Sequence, residues 1–309
     1  MRDSVLRTST IRRRVSSPSR PRALRLIAAL AVTLAAAAGC TTGEPAASPT
    51  PSGTSAPSAS PPPTTTSTPT PTGPAVDVTA YYVIDTRTGF RLTREIRTVR
   101  TSDEVISAVE AMIAGPVDPD YTSSWNPKTT VLGVRQTAGT IVVDLSADAR
   151  TANVGSAGAA LMIQQLVYTV TDAAGQPAAA VMMTIDGSPA GELWGAVAWD
   201  SPVTRADPLD VRLLVQIDRP AEGAVSATPL AVSGDAAVFE ATLRWTVLDA
   251  HGATVRSGSA MTSEGQTFAP YSFTVPLDPG TYTIVVSEED LSGGEGGIPM
   301  SDSRTVTVT

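Results

Sequence analysis

The chain has 309 residues, 42% hydrophobic and 17% charged, with 22 Lys and Arg against 30 Asp and Glu for a net charge of −8. That length predicts two domains of ordinary size, each with enough apolar matter for a core. A single Cys (Cys40) excludes an intrachain disulfide, and a single His (His251) excludes multi-histidine metal sites and leaves histidine acid–base catalysis without support.

Residues 1–39 carry eight Arg and one acid, Asp3, and within them Leu26–Ala38 is an uncharged apolar run of 13 residues. A membrane-spanning helix needs about 20. A basic stretch, a short apolar run and small residues at its end predict a secretory signal instead. The run closes on Ala37-Ala38-Gly39-Cys40, which resembles the lipobox of bacterial lipoproteins, with Ala37 where Leu is usual. The resemblance implies cleavage before Cys40, a diacylglycerol on its thiol (acyl chains of the palmitate type), and attachment to the extracytoplasmic face of the cell membrane. Two acyl chains anchor stably where one binds only marginally, at about 0.8 kcal/mol per buried methylene. Arg12-Arg13-Arg14 raises the twin-arginine export route. Val15-Ser16-Ser17 fits that pattern poorly, so the general secretory route is preferred and both stay open. Beyond residue 39 the chain holds 14 Lys and Arg against 29 Asp and Glu, a net charge of −15. That excess of acid disfavours nucleic acid and anionic lipid as partners.

Residues 41–75 contain 10 Pro, 10 Thr and 6 Ser among 35, with Glu44 as the only charge. No apolar periodicity is present to build a core, so residues 40–75, from the lipidated Cys onward, are expected to form a disordered tether. Proline density stiffens such a tether, and at about 3.1 Å per residue it reaches on the order of 100 Å. A spacer and a sugar-bearing stalk both fit it.

Residues 76–210 predict a mixed α+β domain. Val78, Ala80, Tyr82 and Ile84 alternate with Asp77, Thr79, Tyr81 and Val83 in the period of a strand. A turn at Asp85–Gly89 and a return strand over Phe90–Val99 complete a hairpin. Thr101-x-x-Glu104 reads as a capping box. Val105, Ile106, Val109, Met112 and Ile113 then share a helical face, and Gly115-Pro116 stops the helix. A second hairpin is expected over Thr130–Val134 and Thr140–Leu145. Ser156 caps a helix over Ala159–Val170 that is apolar almost all round, and Val181–Ile185 is a strand closed by Asp186-Gly187. This order resembles the GerMN domain of spore-germination proteins, over about residues 76–200. The matching pieces are Leu92-Thr93-Arg94-Glu95-Ile96-Arg97, Ala114-Gly115-Pro116, Ile141–Ser146, Gln165–Val170 and Ile185-Asp186-Gly187. The resemblance implies a mixed sheet with two packed helices, outside the membrane, with no catalytic residues to carry over.

From Val211 to Thr309 no stretch has helical periodicity. Candidate strands are Val211–Ile217, Leu230–Gly234, Val238–Leu248, Ala253–Ser257, Tyr271–Val275, Tyr282–Ser287 and Arg304–Val308, a spacing that predicts an all-β sandwich. Phe239, Ala241, Leu243, Trp245 and Val247 form one face of the clearest strand, with Trp245 expected in the core. Asp278-Pro279-Gly280-Thr281-Tyr282 reads as the turn into a tyrosine corner. Residues 216–309 resemble the Gmad-type immunoglobulin-like domain of bacterial spore-germination proteins. The resemblance rests on Pro220–Val225, Val232-Ser233-Gly234, Val238-Phe239-Glu240-Ala241 and Gly280-Thr281-Tyr282-Thr283. It implies an interaction domain rather than a catalyst. Pro-rich flanks near Asp207-Pro208 suggest that the two regions fold separately.

Candidate sites follow from these placements. His251 is expected in a surface turn, without a nucleophile beside it. Glu288-Glu289-Asp290 fits no calcium-loop spacing, so neither a metal nor any other cofactor is expected. Arg91, Arg94 and Arg97 are candidate contacts to a phosphate-rich wall polymer. Tyr121 and Trp125, in the long loop from Pro116 to Pro127, are candidate aromatic contacts to a protein partner or to sugars, if they do not pack back on the domain. The function expected from the whole is a non-enzymatic, membrane-anchored interaction or assembly module of the cell envelope with an envelope protein as partner. The alternative is a lipoprotein that binds peptidoglycan or an anionic glycopolymer.

Overall fold

The computed structural model describes residues 73–137, 139–290 and 297–309. The signal, Cys40 and all of the expected tether up to Thr72 lie outside the described residues.

Strands β1 (Ala75–Thr86) and β2 (Gly89–Arg100) form an antiparallel hairpin closed by Arg87-Thr88. Gly89 sits at φ +103, and the Thr86 hydroxyl donates to its carbonyl at 2.6 Å. Helix α1 (Glu104–Ala114) starts two residues later than the Thr101 box implies. Asp103 is the cap, its carboxylate accepting from Ile106 N at 3.0 Å, while Thr101 Oγ1 accepts from Asp103 N and fixes the approach. Strand β3 (Tyr121–Thr122) adds to the free side of β1. A second sheet follows, with β4 (Val131–Thr137) antiparallel to β5 (Thr140–Leu145), and β5 parallel to β6 (Ala180–Ile185). Parallel neighbours need a crossover, supplied by helix α2 (Ser156–Ala173). Short strands β7 (Ser188–Pro189), β8 (Gly191–Leu193) and β9 (Val197–Trp199) complete this half.

The near-continuous apolar character of α2 has a structural reason: the helix is covered on two sides. Met162, Ile163, Leu166, Val167 and Val170 join the main core with Tyr82, Met112, Ile141, Val181 and Trp199. On its other side Tyr168 packs with Tyr81, Val83 and Leu92. Thus both faces of β1 are buried from Ala80 to Ile84, beyond the one face that its alternation implies.

Helix α3 (Pro208–Val211) is a single turn capped by Asp207, with Pro208 at its first position, so the first strand of the second half begins only at β10 (Val215–Arg219). Strands β11 (Val225–Ser226), β12 (Leu230–Ala236), β13 (Thr242–Asp249), β14 (Thr254–Met261), β15 (Ala269–Val275), β16 (Gly280–Glu288) and β17 (Ser301–Val308) follow. They divide into sheets ordered β10-β12-β15 and β11-β17-β16-β13-β14 around a shared core of Ile217, Val232, Leu243, Val247, Ile284, Val286 and Val306. This is the expected sandwich. The tyrosine corner is present: Tyr282 OH donates to Asp278 O at 3.0 Å. Two expectations are corrected. Phe239–Ala241 is a tight turn with Glu240 at φ 53, which leaves Phe239 exposed and starts the strand at Thr242. Trp245 is half-buried rather than central. It stacks on Phe273 of the other sheet, rings 5.0 Å apart, and covers Gly258, where a Cβ would stand 2.4 Å from the indole.

Candidate functional site

Tyr121 and Trp125 do not reach the surface; each is 3% exposed. Trp125 packs edge-on against Trp194 at 5.7 Å, and Tyr121 turns inward to donate its hydroxyl to Asp302 at 2.6 Å. Burying that much aromatic area outweighs any gain from leaving it in water. The arginines are likewise engaged. Arg94 makes a two-pronged pair with Asp218 at 2.7 and 2.8 Å, Arg97 pairs with Glu95 at 2.6 Å, and Arg91 donates to Leu209 O at 2.7 Å. His251 is exposed in the β13–β14 turn. Cys40 lies outside the described residues.

Tyr121 and Arg94 belong to a polar joint between the two halves. At its centre Arg304, Asp118 and Asp302 are each 2% exposed. Arg304 Nη1 donates to Asp118 at 2.6 Å and to Asp302 at 3.0 Å, and its Nη2 donates to Ile217 O at 2.9 Å. Asp302 also accepts from Ile217 N at 2.7 Å. Two carboxylates thus share one buried guanidinium. Burial pushes Asp118 up to about 6, against the pull of the Asp120 N–H and of Arg304. Burial raises Asp302 as well, again opposed by Arg304. Further out, Arg94 reaches Asp235 at 3.2 Å, Gln216 donates to Thr93 at 3.0 Å and Arg87 meets Glu288 at 3.0 Å. Leu213 N donates to Leu92 O at 2.7 Å, which ties the start of the second half to β2. A cut near Asp207-Pro208 would expose this joint. One signal for it was in the sequence: Asp302 and Arg304 share the inward face of β17 with Val306 and Val308.

An apolar groove of about 720 Å³ opens elsewhere, on the first half. Its walls are α2, through Ala157, Ala160 and Leu161, and β9, through Val197 and Ala198. Phe90 of the hairpin tip stands 63% exposed at its edge, and Asp210 and Val211 of α3 contribute to its lining. No Ser, Cys or His lines it. Sequence reasoning passed over these residues because the alanines carry no chemistry of their own.

Comparison with known proteins bears on both halves. Residues 79–191 match the family model described as sporulation and spore germination. Residues 214–295 match the model described as the immunoglobulin-like domain of bacterial spore germination. The chain joins a GerMN-type domain to a Gmad-type immunoglobulin-like domain. Among solved structures it is similar to the tandem GerMN domains of the sporulation protein GerM from Bacillus subtilis, at 15% identity and TM-score 0.37, over 43% of this chain and 46% of that one. The chain therefore spans less than half of that relative. The first GerMN domain of the same protein is similar at 20% identity and TM-score 0.35, over 43% of this chain and 99% of that one. No curated protein matches the chain. The GerMN-type domain holds the groove, and the joint fastens it to the Gmad-type domain.

Proposed function

We propose that the protein is a non-enzymatic lipoprotein, anchored through Cys40 to the extracytoplasmic face of the membrane, whose GerMN-type domain docks an envelope protein. The observation that carries this reading is the apolar groove beside Phe90, open among the described residues and lined by no Ser, Cys or His. The Gmad-type domain acts as a second docking surface or spacer. Tethering raises the effective concentration near the membrane, so a weak interface suffices. Binding to an anionic wall polymer asks for free cations, and the ion pairs of Arg94 and Arg97 weigh against it.

A photo-crosslinking phenylalanine analogue at position 90, in living cells, tests the docking role. The expected result is an adduct with a defined envelope protein, lost when Cys40→Ala releases the chain from the membrane. Adducts with wall polymer alone, or none, would overturn it. Membrane retention of Cys40→Ala after a high-salt wash would overturn the anchor.

A further inference from the structure

The groove's own surface indicates what kind of segment it takes. On one wall α2 presents Ala157, Ala160, Leu161 and Gln164, spaced i, i+3, i+4 and i+7, which is one face of a helix. Ala157 and Ala160 are exposed, and side chains that small let a second helix approach closely. A helix satisfies its own backbone hydrogen bonds and asks only for apolar contact, whereas a strand docks by pairing with a sheet edge. The groove offers side chains from a helix and a hairpin, which suits the former.

Charge at the rim narrows the choice. Asp210 lines the groove, Asp207 caps α3 beside it, and Glu192 is the cross-strand neighbour of Ala198. None of these carboxylates is in an ion pair among the described residues. The nearby cations are Arg91, bonded to Leu209 O, Arg150, whose guanidinium reaches Glu192 O at 3.5 Å, and Arg205, whose guanidinium is held by Asp172, so three carboxylates outside ion pairs face two such cations. An apolar floor with an acidic rim favours apolar anchors flanked by positive charge, and it disfavours a second copy, which would bring like charges together. Resting on the docking role above, we propose that the groove docks an amphipathic helix of its partner, with an apolar stripe at i, i+3, i+4 and i+7 bordered by Lys or Arg.

The probe is a labelled synthetic helix with Leu at those spacings and Lys elsewhere, titrated by fluorescence anisotropy against the purified Cys40→Ala chain. Two comparison peptides carry Glu in place of Lys, or the same residues in scrambled order. The Lys helix is expected to bind at least about tenfold tighter than either and to weaken as salt rises. Ala160→Trp, which fills the groove from an exposed position, should weaken it by about tenfold or more, and Asp210→Asn by a few-fold, with the melting temperature unchanged. Equal affinity for the Lys and Glu helices, or no response to Ala160→Trp, would overturn the proposal. If adducts from position 90 still form with an envelope protein, only the helix assignment fails; if they do not, the docking role fails with it.

Discussion

The joint and the groove are opposite solutions to burying surface. At the joint, Asp118, Asp302, Arg304 and Tyr121 are polar, almost fully enclosed and bonded to one another across the two halves. In the groove, Ala157, Ala160 and Ala198 are apolar and left open to solvent. A buried charge is tolerated only with its partners in place, so the joint is an internal seam whose disruption, by removal of one partner, destabilises the fold. An apolar trough costs little while empty and gains when covered, so its value lies in what it binds. Damage to the joint should therefore register in unfolding, and damage to the groove in binding.

The largest effect is expected from Arg304→Met. It leaves two carboxylates enclosed without a cation, a loss of about 3–5 kcal/mol. For a folded region of this size that lowers the melting temperature by roughly 10 °C, read by calorimetry. A melting point within a degree or two of the parent would mean that the joint is open in solution. Tyr121→Phe removes one hydrogen bond to an enclosed carboxylate and should cost about 1.5–3 kcal/mol. A neutral outcome there would show that water takes over the bond.

The joint also has a pH signature. Asp118 is held at about 6 in the folded protein, above its usual 3.8. The folded state therefore takes up a proton that the unfolded chain does not bind until lower pH. That stabilising contribution is fully present below about 4 and is lost as the pH rises through about 6. Melting temperatures of the parent and Asp118→Asn should diverge across this window, the variant gaining on the parent between about pH 4 and 6. Parallel curves would contradict the enclosure of Asp118. The smallest effect on stability is expected from Phe90→Ser, within about 0.5 kcal/mol, because the ring is exposed. The same change should abolish most of the docking measured at the groove. A large loss of stability would place Phe90 in packing rather than recognition.

Much of this was legible in sequence. The alternation of β1, the helical face of α1, the turn before Tyr282 and the inward face of β13 from Leu243 onward all depend on neighbours a few residues away. So does the resemblance of the two regions to GerMN and Gmad domains. The errors share a cause. Thr101 and Asp103 both offer a cap, and the backbone chose the nearer one. Phe239 continues an alternation that the chain breaks with a tight turn. Tyr121 and Trp125 look like loop aromatics until a second domain and Trp194 arrive to cover them.

Sequence alone therefore determined the periodic elements, their order and the exclusion of an intrachain disulfide and a multi-histidine site, because those rest on local spacing and composition. Tertiary structure decided the joint and the groove. Asp118 and Arg304 lie 186 residues apart, and Ala160 faces β9 only after the crossover helix has packed. Which charges pair and which small residues stay uncovered depends on contacts between distant segments, and no local pattern encodes them.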